Sequence, residues 1–392
     1  MKKFVITLGL LFPLGLFAQD NLVKSLDKNS SDSAKAKFQF TEVIGLANTS
    51  VKNQSSSGTC WSYSTNSFLE SEMYKAGKKP VELAQIFSAR KVYEDKADNY
   101  VRMHGAITLG DGGACHDVIN MYAKYGAMPQ TAYTGLNYGT KQNKFAEMQQ
   151  VLKAMLDVYI KNPNGKLTPN WKNAYNAVLD SYLGEVPKTF TWEGKTYTPK
   201  SFANEVVGLN PNDYVEISSF TDKPYYEQTL LMVPDNWSLD KVYNVKMNDI
   251  TNIIDNALEK GYTIAWATDV SEKYFSWKNG VAYVPEKDFE DMDEQEKKDM
   301  FNGPKPERVI TPQMRQEAFD NYSTTDDHGM HIVGTAKDQT GREYYIVKNS
   351  WGPSNDYKGY LYVTKAYVTF KTTAFLLNKN GIPKELRTKM GI

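Results

Sequence analysis

Two cysteines, Cys60 and Cys115, and four histidines are the only thiols and imidazoles in 392 residues. No CxxC pair and no HExxH segment occurs, so the chain has no persuasive zinc ligand set, and neither a metal nor a cofactor is expected. An excess of either charge is also missing. Lys plus Arg and Asp plus Glu both number 46, which leaves no net field to attract nucleic acid or an anionic membrane, so no nucleic-acid partner is expected. The one long apolar run, Phe4 to Phe17, is too short to span a bilayer. With Lys2 and Lys3 before it and Ala18-Gln19-Asp20 behind it, the run reads as a signal peptide over 1–18. The mature chain is then secreted or periplasmic, with no stable membrane insertion after cleavage. In an oxidising compartment two lone cysteines suggest a disulfide. A domain of this size folds without such a staple, and the surroundings of Cys60 supply another use for it.

What is present is globular: 41% of residues are hydrophobic and 13% aromatic, enough for one large core or two modest ones. After a polar stretch from residue 19, Phe38 to Ile44 alternates like a short strand. From Cys60 to about Tyr125 the pattern is helical, with Asp111-Gly112-Gly113 as a turn, so 19–138 forms an N-terminal segment and a helical subdomain. Residues 139–240 resemble an insertion, with helical periodicity over Phe145–Ile160 and Ala174–Leu183. From 241 to 392 the chain is β-rich, with Val242–Val245, Tyr262–Trp266, Tyr344–Val347 and Gly359–Val363 as strands and a helix ending at Leu258 between the first two. The class is α+β. Oligomeric state is not indicated.

The segment Asn53-Gln54-Ser55-Ser56-Ser57-Gly58-Thr59-Cys60-Trp61 places a cysteine behind a small-residue turn, at the start of a helix with Trp61, Phe68, Leu69 and Met73 on its apolar face. Gly77 and Pro80 mark its end. A helix N-terminus carries roughly half a positive charge, which favours thiolate and is expected to lower the Cys60 pKa. Near the C-terminus, His328-Gly329-Met330-His331 and Asn349-Ser350-Trp351-Gly352 supply an imidazole and an orienting amide. Thiol acyl transfer needs a nucleophile, a base, a group that holds the base and donors for the oxyanion. Cys60 fits the first role, Asn349 the third, and the Cys60 N–H with the Gln54 amide the fourth, while Trp351 would shield the His–Asn bond. His328 and His331 fall on opposite faces of one strand, and the chain alone does not decide which is the base. Cys115 beside His116 is expected to be a packing residue rather than half of a dyad, since adjacent residues rarely reach that geometry.

The order Cys, His, Asn, together with Asn53-Gln54-x-x-Ser57-Gly58-x-Cys60-Trp61, resembles the papain-like cysteine peptidases and, within them, the bleomycin hydrolase and aminopeptidase C branch. Ser57 and Thr59 depart from the papain C-G-[SA]-C-[WY] signature, and His328 lies far beyond the roughly 130 to 150 residues that usually separate the two. Both departures point to that branch, with its large insertion, as do Asp111-Gly112-Gly113 and Tyr125-Gly126-Ala127-Met128-Pro129. The resemblance covers about 40 to 385. It implies helical and β-barrel-like subdomains around a cleft, His328 as the base through its His-Gly-apolar-x-x-Val333-Gly334 strand, and Gly112 and Gly113, with Trp351, against the substrate. It implies peptide or protein substrates. The branch owes its aminopeptidase character to a C-terminal arm in the cleft. Here Pro383 to Ile392 reads as a short helix without that extended tail, so exo- and endopeptidase action both stay open. Two rivals remain: a catalytically inactive peptide-binding relative, and a transglutaminase-like acyl transferase, against which Asn349 argues because such enzymes use Asp.

Overall fold

The computed structural model describes residues 38–392, so the expected signal peptide over 1–18 lies outside the described residues. One helix runs through the middle of the molecule. This is α1 (Cys60–Lys75), and fourteen of its residues, from Cys60 to Met73, are buried whatever face they lie on. Phe68, Leu69 and Met73 form the apolar face expected from the sequence, each worth roughly 1.5–3 kcal/mol of burial. The polar residues among them are inside as well, which is tolerable because most are given partners, the Thr65 hydroxyl being an exception. Ser62 Oγ donates to Gln85 O at 2.7 Å, Ser71 Oγ to Ala47 O at 2.9 Å, and Glu70 accepts from Leu83 N at 2.7 Å. The helix stops as expected at Gly77, whose φ of +70° suits glycine.

Against α1 pack α2 (Gln85–Arg102) and α3 (Cys115–Tyr125), and outside them α4 (Ala146–Ile160) and α5 (Trp171–Leu183). These helices share one core containing Phe87, Tyr93, Phe145 and Leu179. The two helices expected within 139–240 are therefore α4 and α5, but the second half of that segment is not helical in the main. It holds the hairpin β2 (Phe190–Trp192) and β3 (Lys195–Tyr197), then β4 (Tyr214–Ser218) and β5 (Gln228–Leu230). β4 and β5 both pair with β6 (Lys241–Asn244), so the principal sheet begins before residue 240.

That sheet has eleven strands in the order β5-β6-β4-β13-β7-β10-β11-β12-β9-β8, with β1 (Phe40–Gly45) paired to β10 off the path. Its other members are β7 (Ile264–Thr268), β8 (Phe275–Ser276), β9 (Val281–Ala282), β10 (His328–Asp338), β11 (Glu343–Lys348), β12 (Tyr360–Thr364) and β13 (Thr372–Asn378). The sheet does not close; β5 and β8 are its ends. One face packs on α6 (Met247–Glu259) and the terminal helix Lys384–Met390 through Ile250, Ile254, Leu386 and Met390. β10 is the hinge of the design. It pairs antiparallel with β7, β11 and β1, and it lies against α1.

Gly334 shows how tight this is. A Cβ there would lie 2.0 Å from the Ile44 carbonyl oxygen of β1, a backbone atom held in the sheet. Gly334→Ala is expected to lose at least about 2 kcal/mol of unfolding free energy, at the upper end of overpacking costs. Urea denaturation would check this; a loss below about 0.5 kcal/mol would show that β1 yields freely.

Candidate active site

The cleft lies where the first turn of α1, the first residues of β10 and two loops, 110–114 and 231–240, converge. Cys60, Trp61, Gly113, Asp235, His328 and Gly329 line one pocket there. Two glycines make the convergence possible. A Cβ on Gly329 would sit 3.1 Å from Trp61 Cα and 3.0 Å from Ser64 Oγ, so β10 passes the helix at close quarters. A Cβ on Gly58 would fall 2.6 Å from Asp111 Oδ1, because the Asp111 carboxylate reaches in to accept the Gly58 N–H at 2.5 Å. Trp61 Nε1 donates to the carbonyls of Gly58 and Asp111 at 3.1 and 3.0 Å, which fixes the loop before Cys60 to the loop across from it.

His328 is buried, and its ring has one defined partner. Nε2 lies 2.7 Å from Asn349 Oδ1. The same Asn349 oxygen accepts the Ser350 N–H at 2.7 Å, and a backbone donor can only meet an oxygen, so the amide orientation is determined. Nε2 therefore carries the proton, and Nδ1, which has no hydrogen-bond partner, presents its lone pair. Trp351 lies over the ring with centroids 4.5 Å apart and planes 33° apart, and Trp277 stands edge-on behind it at 5.2 Å. Water is thus kept from the His–Asn bond. His331, the alternative on the same strand, is turned elsewhere: its Nδ1 meets Ser67 Oγ on α1 at 3.0 Å, away from Cys60.

Gln54 is fully buried and held at both ends. Ser350 Oγ donates to Oε1 at 2.5 Å, and Nε2 donates to Ser57 O at 2.8 Å, leaving the second N–H of that amide uncommitted. Gln54 N also donates to Ser350 O at 2.8 Å, and Asn53 bridges to Trp351. The loop before Cys60 and the segment 349–351 are consequently one unit. Gly113 lies against Trp61 at the pocket wall, while Gly112 is covered: a Cβ there would meet Asp235 Oδ2 at 2.2 Å, and its carbonyl accepts from Lys96.

Burial pushes the Cys60 thiol up to about 12, opposed by the Gly329 N–H and reinforced by the charges of Asp235 and Asp326. This reverses the direction expected from the helix terminus alone, because desolvation outweighs the dipole. Burial likewise takes His328 down to about 4, with the Asn349 bond pulling the other way. A lone thiolate or a lone imidazolium is therefore disfavoured. The charged state open to the pair is both together, one proton moved from Sγ to Nδ1 with net charge unchanged.

Cys60 and Cys115 are both free thiols. His116 is not a base for either; it pairs through Nδ1 with Glu216 of β4, which is chiefly what offsets burial and raises it to about 10. Sequence reasoning missed Glu216, Asp235 and Asp326. None lies in a motif; the fold brings Glu216 beside α3 and Asp235 into the cleft, while Asp326 stands two residues before His328.

The profile described as Peptidase C1-like family matches residues 16–391. Aminopeptidase G of Lactobacillus delbrueckii subsp. lactis is 24% identical over 379 residues, covering 87% of this chain and 83% of that protein. The mitochondrial cysteine proteinase 1 of Saccharomyces cerevisiae (strain YJM789) is 23% identical over 398 residues, covering 89% of this chain and 79% of that protein. Among solved structures, PepW from Lactobacillus rhamnosis HN001 superposes with a TM-score of 0.72 at 20% identity, covering 95% of this chain and 91% of that one.

The pairing of the two shifts can be read by alkylation with chloroacetamide. In the parent protein the Cys60 rate is expected to hold between pH 8 and 5 and to fall as pH drops through about 4, where His328 takes a second proton. In His328→Ala the thiol stands alone, and its rate is expected to climb about tenfold per pH unit across the same range. Parallel profiles in the two proteins would show that His328 does not share the proton of Cys60.

Proposed function

This chain belongs to the Peptidase C1-like family and is a cysteine peptidase, and we propose that Cys60, His328, Asn349 and Gln54 carry its hydrolysis of peptide bonds. The observation that supports this most is the state of His328: Nε2–H engaged by Asn349, Nδ1 unpartnered, in a pocket that Cys60 also lines. In this reading Nδ1 takes the Cys60 proton as Sγ attacks the scissile carbonyl carbon. The carbonyl π electrons move to oxygen, where the Cys60 N–H and the free N–H of Gln54 meet the negative charge. As the tetrahedral adduct collapses, the imidazolium returns the proton to the leaving amine and the C–N bond breaks. An acyl thioester on Cys60 remains. Water, deprotonated by Nδ1, attacks it; the C–S bond breaks, the thiol recovers its proton, and the carboxylic acid product leaves.

Asn349 is the positioning residue for this cycle. Its oxygen keeps the imidazole in the tautomer whose lone pair faces the thiol, and Trp351 keeps that bond dry. Export is supported by the sequence alone, through Lys2, Lys3 and the apolar run Phe4–Phe17.

Turnover of a fluorogenic peptide amide is expected to vanish in Cys60→Ala. Gln54→Ala should lower kcat by roughly 10²–10³-fold, the usual loss of one oxyanion donor, while melting within a few degrees of the parent. Undiminished cleavage in Cys60→Ala would remove the nucleophile from this account, and a Gln54→Ala enzyme with altered KM but intact kcat would remove the oxyanion role.

A further inference from the structure

Lys348 is the last residue of β11, immediately ahead of Asn349, and it is buried. Its Nζ donates to Thr49 O at 2.7 Å, to Thr49 Oγ1 at 3.1 Å and to Ser67 Oγ at 2.8 Å, so all three N–H groups of the charged form are placed. Each hydroxyl then turns its own proton outward. Thr49 Oγ1 donates to Glu70 Oε2, whose partner oxygen Oε1 accepts from Leu83 N, and Ser67 Oγ donates to His331 Nδ1 at 3.0 Å. His331 is thus a neutral ring with its proton on Nε2, and the Lys348 charge adds to burial in holding it well below the ordinary imidazole range.

Ser67, Glu70, His331, Lys348 and Asn349 line one small pocket. Ser67 and Glu70 stand on α1, Thr49 lies on the segment that leads to Gln54, and Lys348 pairs across to His331 of β10 and Tyr360 of β12. One ammonium therefore joins the helix that begins at Cys60, the segment before Gln54 and the strand that ends beside Asn349. Burial pushes Glu70 up and Lys348 down, and each charge pulls the other back toward its ordinary range. Such a pair is a weak source of stability, because desolvation offsets most of the attraction. What it supplies is direction, three bonds where an apolar side chain of the same length would supply contact alone. Asn349 needs that support. Its N–H donates to Gly359 O at 3.0 Å, but its side-chain Nδ2 has no partner, so the place of its oxygen is set by the backbone on which it stands.

We propose that Lys348 is a second positioning residue of the peptidase: seated on Thr49 and Ser67, with Glu70 as its counter-charge, it fixes the strand end beside Asn349 and so keeps the His328 imidazole aimed at Cys60. The proposal rests on the peptidase reading of Cys60, His328 and Asn349. Without the ammonium, no directed bond from that side chain ties the end of β11 to α1, and the Asn349 oxygen leaves the 2.7 Å at which it holds Nε2. His328 then loses the tautomer and the direction that leave Nδ1 free for the thiol. Proton sharing weakens while contacts to the substrate stay as they are, so the loss falls on kcat and not on KM.

The test compares the full chain with Lys348→Met, which keeps most of the stem, and with Glu70→Gln. Each is read by turnover of a fluorogenic peptide amide, by chloroacetamide alkylation of Cys60 from about pH 5 to about pH 8, and by a thermal melt. Lys348→Met is expected to lower kcat by about 10- to 100-fold with KM within about threefold. Its alkylation rate is expected to climb about tenfold per pH unit, as for a thiol without a base, where that of the parent stays level. Glu70→Gln is expected to move both readouts in the same direction, with kcat about 3- to 10-fold lower, and it decides alone should Lys348→Met fail to fold. A lower melting temperature with the kcat and alkylation profile of the parent would overturn the proposal and leave Lys348 a structural residue. A raised KM at constant kcat would overturn it too. A parent without Cys60-dependent turnover would overturn the peptidase reading, and the alkylation profiles, which need no substrate, would still decide on Lys348.

Discussion

The first turn of α1 and the start of β10 meet through Gly329, and the working geometry depends on that contact. Its amide donates toward the Cys60 thiol, and its missing side chain leaves room for Trp61 and Ser64. Cys60 and His328, far apart in the chain, are thereby set on adjoining rigid elements, one at a helix start and one in a strand paired on both sides. Rigid placement matters because proton transfer tolerates little error in distance. The same contact buries both groups, and burial gives the pair its character: neither takes a charge alone.

A second junction supports the first. Gln54, Asn53 and the backbone of the loop before Cys60 are bonded to Ser350 and Trp351, so the Gln54 side and the Asn349 side of the cleft are one hydrogen-bonded unit. This arrangement keeps many polar groups from water and is stable only while nearly all of them are paired. Within α1 the partners come from every direction, including Gln85 of α2, His331 of β10 and Asn378 of β13. The helix is an internal strut rather than an amphipathic surface element.

That difference explains what the sequence could and could not convey. Cys60, His328, Asn349 and Trp351 could be singled out because each stands in a short motif whose local geometry is self-contained, and in the structure His328 lies in one pocket with Cys60 and against Asn349 and Trp351. The direction of the Cys60 shift was not legible. A helix start can be read from neighbours, whereas desolvation is set by residues hundreds of positions away. β2, β3 and β5 escaped notice because each has three residues, too few for an alternating pattern. Asp235 escaped for a related reason: Pro234-Asp235-Asn236 reads as an ordinary turn until β5 and β6 carry it over Gly112.

The central claim is that this cleft works through Cys60, held by burial opposite the free nitrogen of His328. The most direct measurement is peptide mapping by mass spectrometry after incubation with an alanine-based chloromethyl ketone bearing a free amine. The account requires one label per chain, on Cys60, suppressed by a competing peptide substrate. A label on Cys115, which lines the same pocket, or labelling of Cys60 that a substrate does not slow, would contradict it.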